Sequence, residues 1–292
     1  MRRIHYITDF FRVAIFLILL LFIHSSQAFC APDLSSVKID LTDEERTFLA
    51  EHFPIRIGIM SDWPPLNYVD ESGKPAGLGS EYLRLVNERL GNVLLINPSP
   101  FHESYEMVKK GELDAMMDIT PNDEREPFFE FTMPYLVIPH VIVARKDGLY
   151  FSSEEDLKGK TIGLEKGYYN IEHFRKNHPE VEIREFKSTS DALDAVAKGE
   201  VDAYAGNRAV SMYIMEKELL DGIKAHGKLT IPGIELSIGV REELPILAKI
   251  FDKALNSITE KERREINAHY ISGHYESWYG SEEFWIVFSF SI

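Results

Sequence analysis

Two stretches of the chain are near copies of each other: VKKGELDAMMD, ending at Asp118, and VAKGEVDAYAGN, ending at Asn207, 88 residues apart. Each reads as the last turn of a helix, a glycine that ends it in the left-handed conformation, and a strand that starts at Asp114 or Asp202. The same sequence of elements surrounds both. IRIGIM, SEYLRLVNERLG, VLLINP and ESYEMVKKG read as strand, helix, strand, helix before the first copy. TIGLEKG, YYNIEHFRKNH, VEIREF and SDALDAVAKG repeat that order before the second. Strands alternating with helices call for parallel sheets, here written twice.

Two long extended runs, FTMPYLVIPHVIVARKDG and IELSIGV, stand between and after the copies, as two segments crossing between lobes would. The expected fold is therefore α/β and two-lobed, each lobe a mainly parallel sheet flanked by helices and joined to the other by two crossing strands. Residues 54–138 plus 238–275 are expected in lobe 1 and 139–237 in lobe 2, with a connector helix in 32–53 that opens on a capping box at Thr42 and Glu45. Ligands of open α/β sheets bind outside the carboxyl ends of the strands. That rule brings Asp118 and Thr120 on one jaw opposite Asn207 on the other. Asp114 and Asp202 themselves read more simply as turn acids at a helix stop.

The ends of the chain bear on compartment. Arg2, Arg3 and Arg12 flank the apolar run VAIFLILLLFI, followed by small and polar residues, the pattern of a secretory signal peptide over residues 1–31. Cleavage after Ala28, Cys30 or Ala31 and an uncleaved anchor are all open readings, and each puts the rest outside the cytoplasm. The apolar tail FWIVFSFSI within 276–292 is shorter than the ~20 residues a spanning helix needs. Cys30 is the one cysteine, so no intrachain disulfide is available. With 47 acidic against 32 basic residues the surface repels phosphate backbones, and nucleic acid is not an expected partner.

In the order DWPPLNYVDESGKPAG, KGELDAMMDITPNDEREPFFEFTMPY, LKGKTIGLEKGYYNIEHF, KGEVDAYAGN and LSIGVREELPILAKIFDKALNSITEKE, the chain resembles the bacterial periplasmic solute-binding proteins of the amino-acid type, family 3. That family includes the related Venus-flytrap sensor domains of membrane kinases. The resemblance covers roughly residues 41–270 and implies a type II periplasmic binding fold closing on a small solute. It implies that Trp63, with Tyr68 in the same loop, stacks on the ligand, and that Arg125 grips a ligand carboxylate, as a planar guanidinium does best. Against that, TPNDER inserts Asn122 and Asp123 and can aim Arg125 elsewhere, in which case it is one half of a surface ion pair.

Gly167, Tyr168 and Tyr169 match the helix entrance of the second lobe, where free backbone N–H groups suit an anion. Asn207 stands where amino-acid binders often carry an aspartate for the α-ammonium, and Asp118 is the substitute on offer. The tyrosines and the AGN ending resemble the sensor branch.

The implied function is extracytoplasmic binding of a small polar solute, an amino acid or related carboxylate, by a monomer whose closure is read by an ABC-type membrane permease. The alternative is a ligand-sensing domain for a membrane kinase or cyclase. A periplasmic dehydratase on the same scaffold is the less favoured enzyme reading: no nucleophile elbow, phosphate loop or zinc-binding helix occurs, so no catalytic residue or cofactor is expected. No metal site is expected either, because His173 and His178, five apart on one helix, should sit on different faces and be solvated.

Overall fold

The structure is a computed structural model that describes residues 34–230 and 235–270; the leader and the 276–292 tail lie outside the described residues. Helix α1 (Asp43–Glu51) opens on the expected capping box, in which Thr42 N donates to Glu45 Oε2 at 2.8 Å and Glu45 N to Thr42 Oγ1 at 3.2 Å. The first lobe then runs β1 (Ile55–Met60), a small three-stranded sheet of β2 (Asp62–Trp63), β3 (Asn67–Val69) and β4 (Pro75–Ala76), α2 (Leu78–Arg89), β5 (Leu94–Ser99), α3 (Phe101–Lys109) and β6 (Ala115–Ile119). Strands β7 (Phe129–Phe131) and β8 (Leu136–Val137) lead to the first crossing.

The second lobe holds β9 (His140–Arg145), β10 (Thr161–Glu165), α4 (Tyr169–Asn177), β11 (Glu182–Phe186), α5 (Thr189–Lys198), β12 (Ala203–Asn207), α6 (Arg208–Lys217) and β13 (Ile223–Lys228). Strand β14 (Glu235–Arg241) returns to the first sheet, and α7 (Pro245–Asn256) and α8 (Glu260–Tyr270) pack against α2. Two elements, α6 and β13, are additions to the expected order. Asn207 ends β12 and at once caps α6, its side-chain oxygen accepting from Val210 N at 3.1 Å, so the strand passes into the helix without a loop.

The two sheets share one plan. The first is ordered β5-β1-β6-β14-β7 with β8 on β14, and the second β11-β10-β12-β9-β13. In each, three strands are parallel and a crossing strand, β14 or β9, adds antiparallel to the third. The registers coincide: Ile57 and Gly58 face Ala115 and Met116, while Ile162 and Gly163 face Ala203 and Tyr204. The repeated aspartates hold these registers. Asp114 accepts from Arg56 N at 2.8 Å and its own N–H donates to Arg56 O at 2.8 Å; Asp202 does the same with Thr161 at 2.9 and 2.8 Å. The glycines before them, Gly111 at φ 73° and Gly199 at φ 74°, make the left-handed stops that a side chain would oppose.

Burial follows from this plan. Ile55, Ile57, Ile59, Leu83, Val86, Ile238, Leu247 and Phe251 close the first lobe, and Ile142, Leu164, Ile171 and Phe174 close the face of the second sheet under α4. An ion pair of 2.7 Å between Lys253 and Glu45 ties α7 to α1. Among the described residues no helix is long and apolar enough to cross a membrane.

Candidate functional site

The carboxyl ends of both sheets meet at one cavity of about 40 Å³. Met60, Trp63, Phe101, Asp118, Thr120 and Arg125 line it from the first lobe, and His140, Glu165, Tyr168, Tyr169, Asn170 and Asn207 from the second, with Leu236 of β14 beside them. With the jaws at this spacing that volume holds a few waters, so an amino acid enters only as the jaws part. A groove of about 600 Å³ lies outside it, between residues 60–64 and 100–102 of one lobe and 187–191 of the other. Met60, Phe101 and Tyr168 border both spaces, so they form the partition between them.

Tyr168 closes that partition from the second lobe. Its ring lies edge-on to Trp63 at 6.0 Å and to Phe101 at 5.2 Å, and its hydroxyl reaches Met60 Sδ at 3.2 Å. The residue as a whole is half-buried, and burial of the phenol, with Glu165, Asp118 and Asp62 nearby, pushes it well above its ordinary range. Gly167 before it takes a backbone conformation that a side chain disfavours. At φ 79° it turns left-handed, and a Cβ there would stand 3.5 Å from His102 Cβ of the opposite lobe.

Arg125 is buried, 2% exposed, rather than a surface residue. Asn122 forms the turn that aims it, accepting from Arg125 N through both its side-chain oxygen at 2.8 Å and its carbonyl at 3.0 Å. The inserted Asn122 and Asp123 therefore fold the guanidinium inward. It donates to Thr120 O at 3.0 Å, Gly167 O at 3.3 Å and Glu172 Oε1 at 3.5 Å, and lies 5.5 Å from the Phe101 ring centre. Two of those acceptors belong to the second lobe, and Asn122 also bonds Glu172. Burial lowers the arginine's pKa and raises that of Glu172, while the attraction between the two opposes both shifts.

Asp118 sits in a bulge of β6, at φ 59°, where the pairing with β14 slips between Ser237 and Gly239. The bulge turns its carboxylate into the lobe, where Asn67 Nδ2 and the Tyr135 hydroxyl donate to its two oxygens. Ser80 fixes the Asn67 amide by donating to its oxygen at 2.6 Å. Burial raises the Asp118 pKa to about 6, with both hydrogen bonds working against that rise.

The second jaw contributes groups that the sequence reading did not single out. Glu165, 1% exposed, accepts from Thr189 and, at 2.8 Å, from Tyr204 on one oxygen; its Oε2 has no partner among the described residues. His140 Nδ1 and Trp63 Nε1 are likewise buried without a hydrogen bond. All three residues line the same small cavity, and buried polar atoms seldom go unpaired. Burial lowers the His140 pKa to about 4, with His173 adding to it, and raises that of Glu165. Asn170 donates to Ala205 O at 2.6 Å and is thereby held at the rim.

Of the residues singled out from the sequence, Trp63, Asp118, Thr120, Arg125, Tyr168, Tyr169 and Asn207 converge on the cavity, and Gly167 reaches it through its carbonyl. Tyr68 does not: it lies on β3, paired in register with Asp62 and Ala76, one residue out of phase with the inward-facing Asn67. The register places Glu165 level with Met60, since Ile162-Gly163-Leu164-Glu165 repeats Ile57-Gly58-Ile59-Met60. Aligning IGLE with IGIM would have found it.

The expectation for the histidines is overturned. His173 and His178 are 8% and 9% exposed, and their Nε2 atoms lie 2.8 and 3.0 Å from one oxygen of Glu154. The spacing argument assumed a helix through residue 178. However, α4 ends at Asn177, and His178 at φ −134° leaves the helical path and folds back toward His173.

A family model for bacterial extracellular solute-binding proteins, family 3, matches residues 55–273. The virulence sensor protein BvgS of Bordetella pertussis is 23% identical over 253 residues, covering 84% of this chain and 20% of that protein. The ABC transporter arginine-binding protein 1 of Escherichia coli K12 is 28% identical over 210 residues, 70% of this chain and 84% of that one. A solved ancestral arginine-binding protein bound to arginine superposes with a TM-score of 0.68 at 26% identity, over 74% of this chain and 97% of its own. The chain spans about a fifth of the length of the sensor relatives it matches.

Proposed function

Since the chain belongs to family 3 of the bacterial extracellular solute-binding proteins, we propose that its interlobe cavity binds a small polar solute outside the cytoplasm and that a membrane protein reads the closure. The observation that carries this reading is the convergence of three buried, unpartnered polar atoms, Trp63 Nε1, His140 Nδ1 and Glu165 Oε2, on one space between two lobes. A structural core would satisfy such groups internally. A solute carrying both a donor and an acceptor satisfies them from outside. The pattern suits a zwitterion: Glu165 Oε2 accepts from an ammonium, while Trp63 and Arg125 donate to a carboxylate.

The amino-acid cradle is altered in two places. Asp118 already receives two hydrogen bonds, and Asn207 is occupied as a helix cap, so neither offers the free carboxylate of an ammonium site. Glu165 takes that role instead. Arg125 is engaged by Glu172, so an incoming carboxylate replaces a carboxylate already present.

Two readouts fit such a receptor: delivery of the solute to an ABC permease, and signalling through a membrane kinase or cyclase. Contacts from Tyr168 and Glu172 across the cleft join the two jaws, and either readout would follow a change in those contacts on ligand binding. A thermal-shift screen against amino acids, small carboxylates and polyamines tests the binding claim, since a ligand of the native state raises the melting temperature by mass action. Stoichiometric binding without turnover supports a receptor, and turnover of a hit supports an enzyme.

A further inference from the structure

We propose that Glu154, His173 and His178 form a binding site for a divalent transition-metal cation of the zinc type on the second lobe, outside the solute cavity. Their side chains are 11%, 8% and 11% exposed, and one ligand atom from each lies within 4.8 Å of the others. The two imidazoles aim their Nε2 atoms at the same carboxylate oxygen, at 2.8 and 3.0 Å, with ring centres 5.8 Å apart. Three ligands of a tetrahedral zinc ion stand about 3.3 Å from one another, so the ion needs a rise of a few tenths of an ångström in each oxygen–nitrogen distance and the same spacing between the two nitrogens, which lie within 4.8 Å. Two imidazoles and a carboxylate, with a fourth position left for water, match the ligand preference of that metal class.

Charge supplies the second argument. Glu154 is a buried carboxylate whose partners among the described residues are the two imidazoles and Thr230 N, which donates to its other oxygen at 2.7 Å. Neither a lysine nor an arginine balances it. A cation seated between the three adds a formal positive charge to those hydrogen bonds. Glu154 begins the 3-10 turn Glu154–Leu157, whose Ser153–Asp156 capping box fixes its backbone.

The site lies on the helix that serves the cavity. Tyr169 and Asn170 in the first turn of α4 line the cavity, His173 stands one turn further on, and His178 caps the far end. Thr230, which Glu154 holds, is the last described residue before the second crossing. An ion here therefore pins together α4, the 3-10 turn and the approach to the crossing.

The test uses the purified full chain stripped with a chelator and titrated with CoCl₂ at neutral pH. One equivalent should produce the visible bands of four-coordinate cobalt, which ZnCl₂ then removes, and ZnCl₂ should raise the melting temperature. Glu154→Gln and His178→Gln should each weaken binding by more than about 100-fold, a larger loss than that of an outer-shell partner. Should a variant fail to fold, the wild-type protein still decides: the side-chain nitrogens of His173 and His178 must shift in NMR spectra on adding one equivalent of ZnCl₂. Absence of stoichiometric cobalt binding, undiminished binding in both folded variants, or unshifted imidazole nitrogens overturns the proposal and leaves a proton as the counter-charge.

Discussion

Trp63 and Tyr168, each five residues beyond the paired glycines Gly58 and Gly163, meet edge-to-face across the cleft with ring centres 6.0 Å apart. The duplication thus places one aromatic on each jaw at equivalent positions, and the two touch when the jaws close. Tyr168 also separates the inner cavity from the outer groove. Tyr168→Ala should merge the two spaces and let the protein accept larger solutes, at a cost of roughly 1–3 kcal/mol in stability for losing a partly buried ring. Binding assays with a graded series of side-chain sizes check this, and an unchanged size limit contradicts it.

Glu172 competes with the solute for Arg125. Glu172→Gln should free the guanidinium and tighten binding of a carboxylate ligand by about tenfold, equivalent to the ~1.4 kcal/mol of one modest ion pair. Arg125→Ala should abolish the carboxylate response. It should also destabilise the closed form by about 3 kcal/mol, because Glu172 and two carbonyl oxygens lose a shared donor. Calorimetric titration and melting curves of both variants separate these outcomes. Weaker binding in Glu172→Gln would show that Glu172 helps the ligand rather than mimicking it.

Asp118 makes stability depend on pH in an unusual direction. Its folded pKa of about 6 exceeds the ordinary 3.8, so the native state binds the proton more tightly and loses stability as pH rises from about 4 to about 6. The shift of about two pH units corresponds to roughly 3 kcal/mol at neutral pH. Asp118→Asn retains both contacts, because a tyrosine hydroxyl accepts as readily as it donates. The variant should therefore match the wild type near pH 4 and exceed it in stability at pH 7. His140, with a pKa lowered to about 4, acts in the opposite sense over an overlapping range, so the difference between the two proteins is the quantity to follow. Denaturant unfolding at both pH values measures it, and a difference that does not vary with pH rules the effect out.

The repeated aspartates should matter to the fold and not to the ligand. Asp114→Ala leaves Arg56 N without an acceptor and its guanidinium with the Gly111 carbonyl alone, and should cost about 2–3 kcal/mol. Asp202→Ala removes a single backbone bond and should cost about 1 kcal/mol. Urea midpoints should fall in that order while ligand affinity in the folded fraction stays constant.

That pair of aspartates also explains why the fold was readable. The repeat is a backbone device, a left-handed glycine followed by an acid that grips the neighbouring strand, and such devices leave local marks in sequence. Thr42 with Glu45 and Thr259 with Glu262 are marks of the same kind. The site was only half legible, because Trp63 ends the two-residue strand β2, Arg125 lies in a turn and Tyr168 at a helix start, where their residue types draw notice. Glu165 and His140 lie on strands among apolar neighbours, and their side chains become significant only once burial deprives them of water. The His173, His178 and Glu154 cluster was hidden for a third reason: it depends on where α4 stops and on a turn about twenty residues upstream.

The central claim is that both jaws hold one solute, and calorimetric titration of the strongest thermal-shift hit tests it most directly. Arg125→Ala on the first lobe and Glu165→Gln on the second are the informative variants. In the latter the oxygen bonded by Thr189 and Tyr204 is kept while the free acceptor is lost. The account expects one site per chain in the wild-type protein and a loss of at least about tenfold in affinity in each variant, the equivalent of one charged hydrogen bond. Wild-type affinity in both folded variants would contradict it.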